Sequence, residues 1–260
     1  MTEPVGTVPA SLSFDRIADA YDRTRGGMGR GRRFAEELAP FFDPSRPLFE
    51  VGIGTGLIAL GLRELGFGVA GVDLSEAMAR TARARIGSSV ALGDARRLPV
   101  RDHALPQAFS VWVLHVVGDP GGVLAEVARV LAPSGRYAVI PGFSAEPGDL
   151  IGKAILEMQL RADPHGHRRD DEEHLRGPAT AAGLRLVLSR PLAMHDYEES
   201  PADALRKIEA RSYSWLWDLS DAGYAHAVEP AVRALRSLPD PERPIQRRSS
   251  GRLLLFEPEP

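Results

Sequence analysis

Cysteine is absent from the 260 residues. Disulfides, thiol nucleophiles and cysteine-ligated metals are therefore excluded. Long apolar runs are absent too. No stretch approaches the ~20 residues that a membrane-spanning helix needs. Met1 to Ala10 has neither the basic start nor the apolar stretch of a secretory signal. These absences predict a cytoplasmic protein with no membrane partner. An excess of one charge is also missing, since 35 acidic residues against 32 basic ones leave a net charge of −3. A broad nucleic-acid surface calls for a basic excess. Lysine is almost unused: Lys153 and Lys207 are the only two. The arginines run along the whole chain, a distribution expected of a GC-rich genome rather than of one binding stripe. No internal repeat recurs at the roughly 20–50-residue periods of solenoid proteins.

What is present is an alternation of strands and helices. Leu48 to Gly52 reads as a short apolar strand, Gly56 to Leu65 as a helix, and Val69 to Val72 as the second strand. Ser75 is placed to cap a helix running to Ile86. Val90 to Leu92 is the third strand. Phe109 to Leu114 is the fourth, apolar along its length as befits a strand buried on both faces. Asp119-Pro120 starts a helix with proline at its first position, and Tyr137 to Ile140 is the fifth strand. Repeated strand–helix–strand units predict an α/β fold, a parallel sheet covered by helices on both faces. Gly26 to Arg33, rich in glycine and arginine, reads as a flexible loop before a helix over Phe34 to Phe41.

The second half is less regular. Helix is expected over Asp149 to Arg161, and over Glu172 to Ala182 with a break at Gly177-Pro178. Leu184 to Leu188 and Arg252 to Phe256 complete the strands. Ser200-Pro201-Ala202-Asp203 is a helix-start signature, and a further helix falls between Asp221 and Leu238. The expected division is an N-terminal helical lid over 1–45 and a binding core over 46–142. The rest of the sheet follows over 143–191 and 251–260, with a helical cap over 192–250.

The chemistry concentrates after the first strand, in Glu50-Val51-Gly52-Ile53-Gly54-Thr55-Gly56. Glycines allow a sharp turn and close approach to a ligand, and the next helix offers free amides and the positive end of its dipole. Asp73 ends strand two, where a carboxylate accepts from ribose hydroxyls. A dinucleotide fingerprint would want a third glycine at Leu57. The chain instead places three acids, Glu50, Asp73 and Asp94, at successive strand ends. Acids there suit a sulfonium and an ammonium better than a pyrophosphate.

These residues resemble the class I S-adenosylmethionine-dependent methyltransferases of the broad methyltransferase-11 type. The resemblance is carried by Phe14-Asp15 and Tyr21-Asp22, Glu50 to Gly56, and Val72 to Ser75 with Met78. It continues in Gly93-Asp94-Ala95 with Leu98-Pro99, Val113-Leu114-His115, and Ala125 to Leu131. It covers roughly residues 14 to 140. It implies a Rossmann-like, seven-stranded, mostly parallel sheet with a final antiparallel strand. The implied cofactor is S-adenosyl-L-methionine, leaving as S-adenosyl-L-homocysteine. Gly52 and Gly54 would line its methionine part, and Glu50 would brace the loop or reach the amino group. Asp73 would bind the ribose, Leu74 and Met78 would sandwich adenine, and Asp94 with the Ala95 amide would meet the adenine edge. Ser110 and Val111 would lie beside the methionine portion, with Tyr21 and Arg25 closing over the cofactor. The chain departs from the family at Leu105-Pro106, where Phe-Asp is frequent, and at Val116, where a second histidine is common.

The activity implied is methyl transfer to a small-molecule acceptor by in-line displacement. His115, just past strand four, is either a general base or a packing residue. Tyr213 and Trp215 are candidates for an acceptor pocket, and core packing explains them equally. His165, His167 and His174 near Asp163, Asp170 and Asp171 lack a familiar ligand spacing, so no metal is expected. The alternatives are an NAD-dependent oxidoreductase, an RNA methyltransferase using Arg30 to Arg33, and a non-catalytic cofactor-binding protein.

Overall fold

The structure is a computed structural model describing residues 14–15, 18, 21–22, 26–142, 148–164, 170–192, 195–217, 219–249 and 251–259. In chain order its first half contains α1 (Gly27–Leu38), β1 (Leu48–Val51), α2 (Leu57–Glu64), β2 (Val69–Asp73), α3 (Glu76–Ile86) and β3 (Val90–Leu92). Then come β4 (Leu105–Val111), α4 (Pro120–Val130), β5 (Leu131–Ile140), α5 (Leu150–Ala162), α6 (Glu172–Ala181) and β6 (Leu184–Pro191). The last elements are β7 (His195–Glu199), α7 (Pro201–Glu209), α8 (Asp221–Arg236), β8 (Ile245–Ser249) and β9 (Arg252–Pro258). Among the described residues no helix is long and apolar enough to cross a membrane.

The chain divides into two compact units. The first comprises Pro9–Gly142, Asp170–Pro191 and Arg252–Pro260. It holds a seven-stranded sheet in the order β3-β2-β1-β4-β5-β9-β6. The pairings from β3 across to β5 are parallel, and β9 runs antiparallel to both β5 and β6. This is the expected sheet. Strand order reverses between β1 and β4, the place where open parallel sheets take ligands. Apolar runs make these strands, because both faces are covered. Phe49, Val51, Val72, Phe256 and the wholly buried Tyr137 share one core with Val123, Leu124 and Val127 of α4 and Leu175 and Ala179 of α6.

Four local readings change. The glycine-arginine stretch is helix from Gly27, not loop. Gly31 serves close helix packing: a Cβ there would lie 2.7 Å from the Leu57 carbonyl oxygen. β4 ends at Val111, because Trp112 turns left-handed at φ 59° and Leu114–Val116 form a 3-10 turn. Its start reaches back to Leu105, with Pro106 in an irregularity of the β4–β5 register, where a missing N–H costs no ladder bond. α6 continues through Pro178, since Leu175 and Ala179 on either side are anchored in the core.

The second unit comprises Met1–Val8, Phe143–Arg169 and Leu192–Gly251. Helix α5 belongs here, although the sequence set it with the sheet. Ile151, Ile155 and Met158 of α5 share a core with Ala204 and Ile208 of α7 and Val228, Ala231 and Leu235 of α8. The start of α7 is the expected capping box, Ser200 with Asp203. The amide and hydroxyl of Ser200 hold the Asp203 carboxyl down to about 2. The span 192–250 is not helical throughout. β7 and β8 pair antiparallel in it, His195 opposite Ser249 and Glu199 opposite Ile245. Their polar sequences carry no apolar alternation to announce a strand. Buried ion pairs hold them: Arg247 lies against Glu199, and its Nε donates to Asp149 at 2.9 Å. Lys207 meets the other Glu199 oxygen.

Candidate functional site

The loop after β1 is the centre of the site. Gly52, Gly54 and Gly56 all take positive φ, at 74°, 55° and 79°. At Gly52 a side chain would also strike Val113, with only 2.5 Å between its Cβ and Cγ2. At Gly54 a Cβ would meet nothing within 4 Å, so the loop there faces open space. Asp73 fixes this shape. One of its carboxylate oxygens accepts from the Gly54 amide at 2.7 Å and the other from the Ser75 amide at 2.9 Å. Burial raises the Asp73 carboxyl above its ordinary range, partly offset by those two amides. The Ser75 hydroxyl caps α3 by accepting from the Met78 amide.

The N-terminal segment is pinned to the same loop. Asp15 accepts from the Ser75 hydroxyl at 2.5 Å and the Ala77 amide at 3.0 Å, bonds that hold its carboxyl below the usual value. Asp22 accepts from the Thr55 hydroxyl at 2.6 Å and pairs with Arg85 at 2.5 Å.

Under these groups lies an open cavity of about 360 Å³, solvent at its mouth included. Its floor is Glu50, Gly52, Ile53 and Gly54, and its walls include Tyr21, Arg30, Phe34, Val111 and Trp112. Glu50 is only 2% exposed, and its Oε2 has no hydrogen-bond partner among the described residues. Burial, and then the charge of Asp73, push the Glu50 carboxyl well above the ordinary carboxylate range. Such a group favours a ligand that brings a cation to it. Across the cavity the Arg30 guanidinium lies 4.8 Å from the Trp112 ring centroid and 5.4 Å from that of Tyr21. Phe34 meets Trp112 edge to face at 5.2 Å.

Of the sequence candidates, Tyr21, Glu50, Gly52, Gly54 and Val111 line this cavity. Asp73 stands behind the loop. Leu74 beside it is 48% exposed and presents an apolar surface. Met78 does not join it: at 1% exposure its side chain belongs to the core. Ser110 also turns inward, its hydroxyl 2.7 Å from that of the buried Tyr137. Ala95 packs in the sheet core. Both Asp94 oxygens are taken by the Arg96 guanidinium, which holds the Asp94 carboxyl low. Arg25 lies outside the described residues. His115 is not a wall of the cavity. It sits in the turn after β4, its Nδ1 3.3 Å from Asp170.

Tyr213 and Trp215 belong to the second unit. They stack on each other at 5.1 Å and pack on that unit's core. His165 and His167 lie outside the described residues. Among the described residues the acidic-histidine grouping reduces to Asp171, Glu173 and His174, where Asp171 caps α6 and bonds His174 at 2.7 Å.

Sequence reasoning missed Arg30, Phe34 and Trp112. Arg30 and Phe34 are four residues apart on α1 and so share a face. Reading that segment as loop hid the relation.

Comparison with known proteins bears on this geometry. Residues 49–139 match the methyltransferase domain family. An uncharacterized methyltransferase of Mycobacterium tuberculosis is 32% identical over 153 residues, covering 55% of this chain and 60% of that protein. The ubiquinone/menaquinone biosynthesis C-methyltransferase UbiE of Acidiphilium cryptum is 35% identical over 136 residues, 48% of this chain and 55% of that one. The chain thus spans little more than half the length of these relatives. Among solved structures, the [4+2]-cyclase SpnF superposes with a TM-score of 0.64 at 19% identity, covering 99% of this chain and 98% of that chain. At that identity the likeness is one of fold.

Proposed function

The chain belongs to the class I S-adenosylmethionine-dependent methyltransferases, and from that premise we propose that it moves a methyl group from S-adenosylmethionine to a small organic acceptor. The observation that carries this reading is Glu50. Glu50 lines the cavity beside the glycine loop, and one of its buried carboxylate oxygens has no hydrogen-bond partner among the described residues. The amino group of the cofactor would supply the missing cation. Asp73 keeps lone pairs free for ribose hydroxyls after accepting the Gly54 and Ser75 amides. The exposed face of Leu74 suits the adenine ring. Arg96 competes for Asp94, so Asp94 has a smaller part here than the resemblance implies.

The cofactor supplies a methyl group already activated on a sulfonium. The chain's task is therefore to hold acceptor and methyl in line and to exclude water. Val111 and Trp112, at the end of β4, and Tyr21 enclose the cavity for that purpose. Trp112 takes a positive φ of 59°, which ends β4 beside the cavity. A small acceptor is supported by the quinone-methylating relative and by the absence of a basic excess. The cyclase of the same fold is a reminder that architecture alone does not set the reaction.

Thermal unfolding with S-adenosylmethionine, S-adenosylhomocysteine, NAD and NADP tests this reading. At 100 times its dissociation constant a true ligand adds about 2.7 kcal/mol. A rise in midpoint with the two adenosyl-sulfur compounds alone is expected. A rise with NAD or NADP alone would overturn the proposal.

A further inference from the structure

Arg30 puts a cation into the wall of a cavity proposed to take a cationic methyl donor. It stands in the first turn of α1, is 7% exposed and lines the cavity. Two rings of the same wall hold its guanidinium, that of Trp112 at 4.8 Å and that of Tyr21 at 5.4 Å. Phe34, one helical turn on, meets Trp112 edge to face. The helix does not favour the charge either, because its first turn is the positive end of the dipole and contains no acid. Both penalties become gains when a ligand brings an anion to the guanidinium. The cofactor's own carboxylate is poorly placed for this. It shares one carbon with the ammonium assigned to Glu50, so it stays near Glu50. Arg30 is set apart from that acid. Burial and Asp73 raise the Glu50 carboxyl, and no cation among the described residues draws it down. Glu50 is opposite Phe109 in the β1–β4 register. Arg30 rests on Trp112, three residues further along, which is roughly 10 Å at the rise of a strand.

We propose that Arg30 is a specificity-determining residue that takes the negatively charged group of the methyl acceptor, a carboxylate on a small apolar or aromatic body; this inference rests on the function proposed above. A guanidinium is charged at every working pH and offers a rigid fork of donors that matches a carboxylate with two parallel hydrogen bonds. The rings of Tyr21 and Trp112 limit the orientations of that fork. Phe34, Val111 and Trp112 supply apolar wall for the body of the acceptor. The cavity then sorts its two ligands by charge: the ammonium of the donor goes to Glu50 and the anion of the acceptor to Arg30. The same guanidinium repels a cationic acceptor, an amine above all, and selectivity of this kind needs a repulsive element as well as an attractive one.

Matched pairs of probes test this: benzoate with benzamide, and phenylacetate with phenylacetamide. Each is titrated into full-length protein saturated with S-adenosylhomocysteine and followed by ligand-observed NMR. The native protein is expected to prefer each carboxylate to its amide by roughly tenfold or more, the scale of a hydrogen bond to a charged group. Arg30→Met should lose that preference and Arg30→Lys should keep part of it. Equal binding of acid and amide by the native protein, or binding of neither, would overturn the proposal whether or not a variant folds. A preference that survives in folded Arg30→Met would overturn it too. Calorimetry with S-adenosylmethionine and its decarboxylated analogue isolates the other source of a carboxylate. The native ratio of those two affinities should persist in Arg30→Met. A ratio that collapses there would assign Arg30 to the cofactor and overturn the proposal. Failure of the native protein to bind S-adenosylmethionine would instead strike the methyl-transfer reading, and this inference with it.

Discussion

Asp22 joins the N-terminal segment to the glycine loop: its carboxylate accepts from the Thr55 hydroxyl at 2.6 Å while holding Arg85, whose guanidinium also reaches the Thr55 carbonyl at 2.6 Å. One acid thereby fastens three pieces of chain around the cavity, and Tyr21 beside it is one of the cavity walls. Asp22→Ala should release that cover. Loss of charged hydrogen bonds worth about 1.5–3 kcal/mol, reduced by the partial exposure of the pair, predicts S-adenosylmethionine leaving roughly ten times faster. Stopped-flow displacement measures this. An unaltered dissociation rate would mean that the segment does not cover the ligand.

Asp73 does two jobs, and Asp73→Asn should separate them. The amide it gains would face the N–H of Gly54 or Ser75, two donors against each other, so the loop should loosen. Cofactor affinity is expected to fall by about 1.5–3 kcal/mol, the scale of a hydrogen bond to a charged group. Calorimetric titration beside a folding check by circular dichroism decides it. Native affinity in the folded variant would remove Asp73 from the site.

Glu50 makes binding depend on pH. Its folded carboxyl is raised far above 4.5 by burial and by Asp73. Between its unfolded and folded values, the folded ligand-free protein holds a proton that the unfolded chain has released. The stability from Glu50 is therefore full below the unfolded value and is lost as pH rises towards the folded one. A bound ammonium reverses the preference by favouring the carboxylate. S-adenosylmethionine should thus expel up to one proton from Glu50 on binding in that window. Titrations in buffers of different ionisation enthalpy count released protons. Heats independent of buffer in mildly acidic solution would contradict the role given to Glu50. Glu50→Gln should gain stability without ligand at alkaline pH and bind more weakly.

The buried ions of the second unit predict a stability effect. Glu199 is 2% exposed and is answered by Arg247 and Lys207. Arg247→Ala strands most of that charge, and removing one partner of a buried pair costs about 3–5 kcal/mol. Replacing both as Glu199→Gln and Arg247→Met should recover much of the loss. Urea unfolding followed by tryptophan fluorescence reads it, since Trp215 and Trp217 lie in this unit. Equal losses in the single and double variants would show that shape, rather than stranded charge, sets the cost.

The sheet was legible because its central strands carry apolar runs and its helices carry their start signals, as at Ser75 and Asp119. Asp73 was legible because it ends β2, and Glu50 because it stands one residue before the end of β1 and the glycine loop. The directions of side chains were not. Ser110 and Val111 are neighbours in β4, and alternation sends one to Tyr137 and the other to the cavity. Nothing in the letters fixes which. Met78 fits helical core spacing and a ligand contact equally, and burial decides for the core. β7 and β8 were invisible because ion pairs, not apolar alternation, hold them together.

Gly31 shows how tertiary packing reverses a local preference. In an exposed helix, alanine would be better than glycine by about 1 kcal/mol. Here α1 and α2 touch through their glycines. A Cβ on Gly31 would stand 2.7 Å from the Leu57 carbonyl oxygen, and one on Gly61 would stand 2.9 Å from the Ala35 Cβ. The obstacle at Gly31 is backbone, which cannot rotate aside, so the helices must separate. Overpacking of this kind costs about 1–3 kcal/mol, enough to exceed the helical gain. Leu57 also lines the cavity, so the displacement should reach the ligand site. Gly31→Ala is expected to lower both the thermal midpoint and S-adenosylmethionine affinity, whereas Gly29→Ala, with nothing within 4 Å of its Cβ, should raise the midpoint slightly. A stabilised Gly31→Ala protein would show that the helix contact is looser than this geometry requires.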